Sequence, residues 1–313
     1  MRRFSSALFS CILFATILIL ACNSHHQANE NTVILGAGST FINPVMTRWI
    51  YDFQQGHPGV QINYQSIGSG VGIEQLRKGA VDFAASDAAL NDEKLKSMPP
   101  LVQIPESGGP VCVVYNLKEL KEPLKLSGAT LAAIYLGQIQ WWQDPLIKKD
   151  NEGVRLPNMR IAVVHRSDGS GTTNLFTMYL AKASQQWSDR VGQGMSVNWP
   201  VGTGAKGSEG ITVSVQQVEG GIGYVELAYA KTNGLPVAQV RNQAGAWTEP
   251  TATSATAAID ALQQELAKDV RTPVVDPPAS AREAYPISGL TYLLIPLHPQ
   301  NKTKQQALKE FVQ

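Results

Sequence analysis

The chain has 313 residues, 43% of them hydrophobic and only 16% charged, with a formal net charge of +1. The length suits two lobes of ordinary size better than one compact domain. The basic residues form no long run, which excludes the charged arm or stripe of a nucleic-acid-binding protein.

At the start, Arg2 and Arg3 precede an apolar run over residues 7–21 that ends Ile19-Leu20-Ala21-Cys22. A basic start, a short apolar stretch and a small residue before the cut predict a secretory signal over residues 1–21. The run is shorter than the roughly 20 residues of a membrane-spanning helix. With Ala21 directly before Cys22 it resembles a bacterial lipobox, so Cys22 is expected to carry the lipid of a membrane anchor, and several acyl chains hold far more firmly than one. Loss of Arg2 and Arg3 takes the net charge from +1 to −1. Cys11 leaves with the signal, Cys22 is lipidated and Cys112 lies in the apolar run 111–114, so no disulfide is expected in spite of the oxidising compartment. Residues 22–31, polar and including His25 and His26, cannot bury a core and predict a flexible tether.

Beyond it, strand-length apolar runs alternate with segments of helical period. Residues 33–35 read as a buried strand, and Ile42, Val45, Met46, Trp49, Ile50 and Phe53 recur at helical spacing. Residues 60–64 alternate as a strand, 71–78 read as a helix ending at Gly79, and 81–85 as a further strand. Such a series predicts parallel strands with helices on both faces and a ligand at the carboxyl ends of the strands. The pattern breaks at Pro99-Pro100, read as a helix end, and at Ser107-Gly108-Gly109-Pro110, read as a hinge. A second α/β series follows from Val111: helices near 130–136, 172–182, 209–218 and 252–266, with strands at 161–164 and 222–225. After Asp276-Pro277-Pro278, residues 290–295 predict a strand returning to the first lobe, which gives two crossings between lobes. No internal repeat is present.

Three strand-to-helix turns share one chemistry. Gly36-Ala37-Gly38-Ser39-Thr40-Phe41 combines glycines, which allow close backbone approach, with hydroxyls beside unsatisfied helix amides. Ser66-Ile67-Gly68-Ser69-Gly70 repeats the design. His165-Arg166-Ser167-Asp168-Gly169-Ser170-Gly171-Thr172-Thr173 adds a guanidinium able to grip an oxyanion with paired hydrogen bonds. Taken singly, Ser39, Thr40, Ser69, Ser170 and Thr172 are ordinary helix caps, and Arg166 with Asp168 an ordinary ion pair. Taken together, at junctions that an α/β scaffold gathers on one edge, they predict an oxyanion site. Asp87, which closes the third strand, belongs to the same edge; besides capping the next turn, a carboxylate there tolerates only an anion with a proton to donate, which phosphate carries near neutral pH and sulfate does not.

These residues resemble the phosphate-binding proteins of ABC transporters. The resemblance runs from Val33 to Ile295 and rests on residues 36–41, 68–70, 82–87, 134–137, 162–164, 168–172, Trp199-Pro200 and 221–226, in that order. It implies a two-lobed α/β periplasmic-binding-protein fold of type II with the ligand between the lobes and a hinge of two crossover segments. Lobe I then takes residues 32–107 and 288–313, and lobe II residues 108–287. It further implies phosphate held by Ser39, Thr40, Phe41 through its backbone, Ser69, Asp87, Arg166, Ser170, Gly171 and Thr172, with Asp168 orienting Arg166. No cofactor or metal, a monomer, and docking onto a membrane permease driven by an ATPase are implied as well. Members usually continue for some tens of residues past position 313 with a helix for lobe I, so that lobe is expected to be incompletely covered here. At His165 the enteric member has a second basic residue, but alternation along a strand turns this ring away from Arg166.

An alternative from another class is a secreted phosphate-ester hydrolase, since an oxyanion cradle also suits a transition state. The sequence has no His-Glu-x-x-His and no Gly-x-Ser-x-Gly, and residues 202–208 lack the Gly-Lys-Ser order of a P-loop. A receptor for sulfate or molybdate is the other alternative, and Asp87 is the feature against it.

Overall fold

The computed structural model describes residues 31–299 and 301–313; the signal segment, Cys22 and all of the tether but Asn31 lie outside them. The chain folds as expected into a two-lobed α/β molecule around one eight-stranded mixed sheet and a small three-stranded one.

The first lobe opens with β1 (Thr32–Gly38), α1 (Asn43–Gly56), β2 (Val60–Ser66), α2 (Ser69–Arg77), β3 (Phe83–Ser86) and the short α3 (Asp92–Leu95). β1 pairs in parallel with both β2 and β3. The runs are apolar because both sheet faces are covered. Ile34, Phe83 and Ala85 pack with Met46 and Ile50 of α1 on one face, while Ala37, Ala84 and Leu76 of α2 pack on the other. The helical stripe of α1 is only partly inward, since Val45 and Trp49 are each 37% exposed.

The expected hinge at residues 107–110 is not an interruption in the backbone. β4 (Leu101–Tyr115) is one continuous strand that pairs with β11 (Ser288–Pro296) up to Pro110 and with β8 (Gly221–Glu226) from Val111. Its glycines reflect crowding rather than a turn, because a Cβ on Gly108 would lie 2.7 Å from the Ile259 side chain. Beyond β4 come β5 (Lys125–Leu126), α4 (Gly128–Tyr135), α5 (Pro145–Asp150), β6 (Ala162–Arg166), α6 (Gly171–Ala183), α7 (Gln185–Arg190), β7 (Thr203–Ala205) and α8 (Gly207–Gln217). After β8 follow α9 (Leu227–Thr232), β9 (Gln239–Arg241) and β10 (Trp247–Thr248), the last two forming the small sheet with β5. The helix expected over 252–266 is two, α10 (Ala252–Asp260) and α11 (Gln263–Lys268). Leu262 leaves helical geometry at φ −118°, and its amide reaches Ile259 rather than the carbonyl one residue earlier. The last element, α12 (Lys302–Val312), packs Ala307 and Leu308 against the core of the first lobe.

Within the second lobe, β4 is apolar at every position from Val111 to Tyr115 because both of its faces are buried. Val111, Val113 and Tyr115 face one core with Phe176 and Trp187, and Cys112 and Val114 face the other with Ile211 and Val215. Each such side chain stabilises by about 1.5–3 kcal/mol. Burial also pushes the free Cys112 thiol well up, so it is a packing residue and not a nucleophile.

Strand direction sets where the turns meet. β11 is antiparallel to both β3 and β4, so β3 runs the same way as β4, from the first lobe toward the second. β8 opposes β4, and β6 runs with β8, back toward the first lobe. The carboxyl ends of β1–β3 and of β6–β8 therefore face each other, and the Ser/Gly turns follow those ends.

Candidate functional site

At the carboxyl end of β1 the chain must turn at once, and Gly38 (φ 141°) makes the turn in a conformation side chains rarely adopt, pressed against the Ala85 carbonyl. This delivers Ser39 beside the end of β3, where its hydroxyl donates to Asp87 Oδ1 and accepts the Phe41 amide at 3.0 Å. From the facing lobe, Thr172 Oγ1 donates to Asp87 Oδ2 at 3.1 Å, and the Gly171 amide donates to Ser69 Oγ, also at 3.1 Å. Gly171 cannot be larger: a Cβ there would stand 2.7 Å from the backbone nitrogen and Cβ of Asp87.

Arg166, the last residue of β6, is buried. Its Nε and Nη2 donate to Asp168 at 2.7 and 2.5 Å, and its Nη1 donates to Thr40 Oγ1 at 3.1 Å. The Gly207 amide also donates to Asp168, at 3.0 Å. Burial alone would raise the Asp168 carboxyl, yet the Arg166 guanidinium holds it below its usual value. Burial likewise works against the charge on Arg166, and Asp168 outweighs it, so the guanidinium stays charged. Ser170 caps α6 by accepting the Thr173 amide at 3.1 Å.

All nine residues expected to form the oxyanion site, Ser39, Thr40, Phe41, Ser69, Asp87, Arg166, Ser170, Gly171 and Thr172, are buried, and six of them (Thr40, Ser69, Asp87, Arg166, Gly171 and Thr172) are joined across the lobes by the bonds above, with Ser39 bonded to Asp87 inside its own lobe. Phe41 joins through its own amide to Ser39, whereas the Ser170 hydroxyl serves its own helix. His165 stands apart: half-buried, it stacks on Trp199 with centroids 4.8 Å apart, and its Nδ1 lies 3.1 Å from the Arg166 carbonyl.

Sequence reasoning missed four supports. Ser208, opening α8, sets its amide 3.2 Å and its hydroxyl 2.8 Å from Thr40 Oγ1. Tyr224 accepts the Arg166 amide at 3.1 Å, Tyr64 donates to the Ser39 carbonyl at 2.8 Å, and Tyr229 bridges the Thr40 carbonyl and Glu209. Ser208 was legible as another Gly/Ser strand-to-helix turn, since residues 202–208 carry the signature although they fail as a P-loop. The tyrosines reach the site from strands and helices, and no local motif marks them.

Chemically, this is a buried cluster of hydroxyl, amide and guanidinium donors that already converge on a carboxylate and so fit the oxygens of an anion. The one acceptor without a dedicated cation is Asp87. Burial pushes it up to about 6, against the opposing pull of the Ser39 and Thr172 hydroxyls and, more weakly, Arg166. Among the described residues, no group of three or more His, Cys, Asp or Glu is placed to hold a metal ion, and no helix is long and apolar enough to cross a membrane.

Residues 23–313 match the family profile of the PBP superfamily domain. A phosphate-binding protein PstS of Xylella fastidiosa is 41% identical over 287 residues, covering 91% of this chain and 78% of that one. The chain belongs to the phosphate-binding protein family of the PBP superfamily. A second member, phosphate-binding protein PstS of Pasteurella multocida, is 40% identical over 97% of this chain and 86% of its own. The fold is also that of a phosphate-binding protein from Stenotrophomonas maltophilia, with a TM-score of 0.65 at 22% identity over 90% of this chain and 83% of that one.

Proposed function

We propose that this protein is an extracytoplasmic receptor that captures inorganic phosphate between its lobes and delivers it to an ABC-type importer, performing no chemistry on it. The relatives at 40–41% identity are named as phosphate-binding proteins, which supports the ligand. In this reading Thr40, the Phe41 amide, Ser69, Arg166, Ser170, Gly171 and Thr172 donate to phosphate, while Asp168 fixes the guanidinium and Ser39 aligns Asp87 within the binding set. Lobe I comprises residues 32–107 and 288–313, lobe II residues 108–287, and closure turns about β4 and the segment before β11. Residues 1–21 are the signal peptide, Cys22 carries the lipid that tethers the receptor to the cell envelope through residues 22–31, and a permease with its ATPase receives the ligand from a monomer.

The observation that carries the reading is Asp87, a buried acceptor at the centre of a site otherwise made of donors. A proton-bearing tetrahedral anion satisfies both kinds of group at once, and phosphate is that anion near neutral pH. Isothermal titration of the purified protein with phosphate is expected to give a dissociation constant in the micromolar range or tighter, about −8 kcal/mol or better. No heat, together with no thermal shift in millimolar phosphate, would overturn the reading.

A further inference from the structure

Glu106 is the extra residue of a β-bulge: along the β4–β11 ladder Ser107 pairs with Thr291 and Pro105 with Tyr292, leaving Glu106 unopposed. Bulges re-aim side chains next to functional sites. This one turns the carboxylate in under α1 and α12, where it lines a cleft of about 380 Å³ with Trp49, Asp52, Phe53, Leu293 and Phe311. The Thr291 hydroxyl donates to Oε1 at 3.2 Å, and Oε2 is buried with no partner among the described residues.

The groups that face Glu106 offer no compensating charge. From α1 comes Asp52, already paired with the exposed Arg48, and α12 contributes Phe311 and Val312; Tyr292 of β11 pairs with Pro105 on one side and Ser86 on the other, which sets Glu106 two strands across from Asp87, and the Tyr64 hydroxyl on β2 is pushed well up by burial and then by both Glu106 and Asp87. Burial, opposed only by the Thr291 hydroxyl and reinforced by Asp87, pushes Glu106 up to about 8. Glu226, a half-buried carboxylate also raised in part by Asp87, has its own backbone partner, because it caps α9 and accepts the Ala228 amide at 2.6 Å.

A carboxylate with a buried, unpartnered oxygen two strands from a site that takes up an anion is repelled by that anion unless it is neutral, and the two effects are reciprocal: the anion raises the affinity of Glu106 for a proton as much as the proton raises affinity for the anion. We propose that Glu106 couples phosphate binding to protonation, so that phosphate binds with uptake of a proton at Glu106, and ionised Glu106 holds the affinity down. This rests on the phosphate reading above.

The test is isothermal titration of phosphate at about pH 8.5 in two buffers of different ionisation enthalpy, where phosphate is the dianion and Asp87 is ionised, followed by affinity profiles from pH 7 to 9. Wild-type protein should take up a fraction of a proton per phosphate bound and lose affinity several-fold across that range. Glu106→Gln should bind phosphate tightly with most of that fraction gone and the fall in affinity above about pH 8 removed. The same proton uptake and profile in Glu106→Gln would overturn the proposal while leaving the phosphate receptor intact; no binding by wild type would overturn the receptor reading itself. If Glu106→Gln does not fold, Thr291→Val, which removes the only hydroxyl favouring the ionised form, should move the loss of affinity to higher pH, and an unmoved profile would count against the coupling.

Discussion

Arg166 shows how little freedom the site leaves a single side chain. Its three nitrogens each have a defined partner, two on Asp168 and one on Thr40, in a geometry a planar fork can meet and an ammonium cannot. Arg166→Lys should therefore weaken phosphate binding by about 1.5–3 kcal/mol although the charge is kept; an unchanged dissociation constant would mean that the guanidinium does not face the ligand. Asp87 adds a pH signature. Its carboxyl is raised to about 6, so between the ordinary unfolded value near 4 and about 6 the folded protein holds a proton that the unfolded chain has lost. Its contribution to stability is complete below that window and is lost as pH rises through it. In phosphate-free buffer, urea midpoints measured from pH 4 to 7 should fall less steeply for Asp87→Asn than for wild type, and parallel curves would contradict the shift. The hydroxyl and guanidinium residues proposed to hold the ligand stood out from side-chain chemistry alone. Tyr64, Tyr224 and Tyr229 did not, because what they do depends on which turn folding brings beneath their hydroxyls.

Among the elements, the strand-to-helix junctions were the most legible, since glycine and serine there answer to local rules of turn geometry and capping. Gly171 is the strongest case, because the close approach of α6 to the end of β3 leaves no space for a side chain. Gly171→Ala should hold the lobes apart and lower phosphate affinity by tenfold or more, roughly 1.4 kcal/mol, with little change in the far-ultraviolet circular dichroism. Full affinity in that variant would mean that the two turns need not meet. The crossing at β4 was legible, but its unbroken backbone was not, for a physical reason. Ser107-Gly108-Gly109-Pro110 has the composition of a loop, yet its glycines accommodate Ile259, Leu290 and the Phe41 ring while the ladder continues through it. Likewise the single period over residues 252–266 hid a break at Leu262 that only packing decides.

For the molecule as a whole, the alternation of strands and helices carried the fold class, because parallel strands covered on both faces leave an unmistakable apolar rhythm. What it could not carry was the facing of the two carboxyl edges, which follows from β4 and β11 lying antiparallel at the centre of the sheet. The proposed anchor is a property of this scale too: Cys22→Ser should move the protein from the membrane fraction to the soluble one, and retention in membranes would show that something other than the lipid holds it. The central claim, that a donor-lined site chooses phosphate through one buried acceptor, is tested most directly by competition. Phosphate binding to wild-type protein should be displaced by arsenate, which has a similar shape and proton, but resist sulfate even in large excess, since polar sites that leave a buried group unpaired reject an analogue by about 10⁴ or more. In Asp87→Asn, whose amide can turn a donor toward sulfate, that discrimination should shrink while phosphate affinity changes modestly. Sulfate binding to wild-type protein within about tenfold of phosphate, a difference of only about 1.4 kcal/mol, would contradict the account.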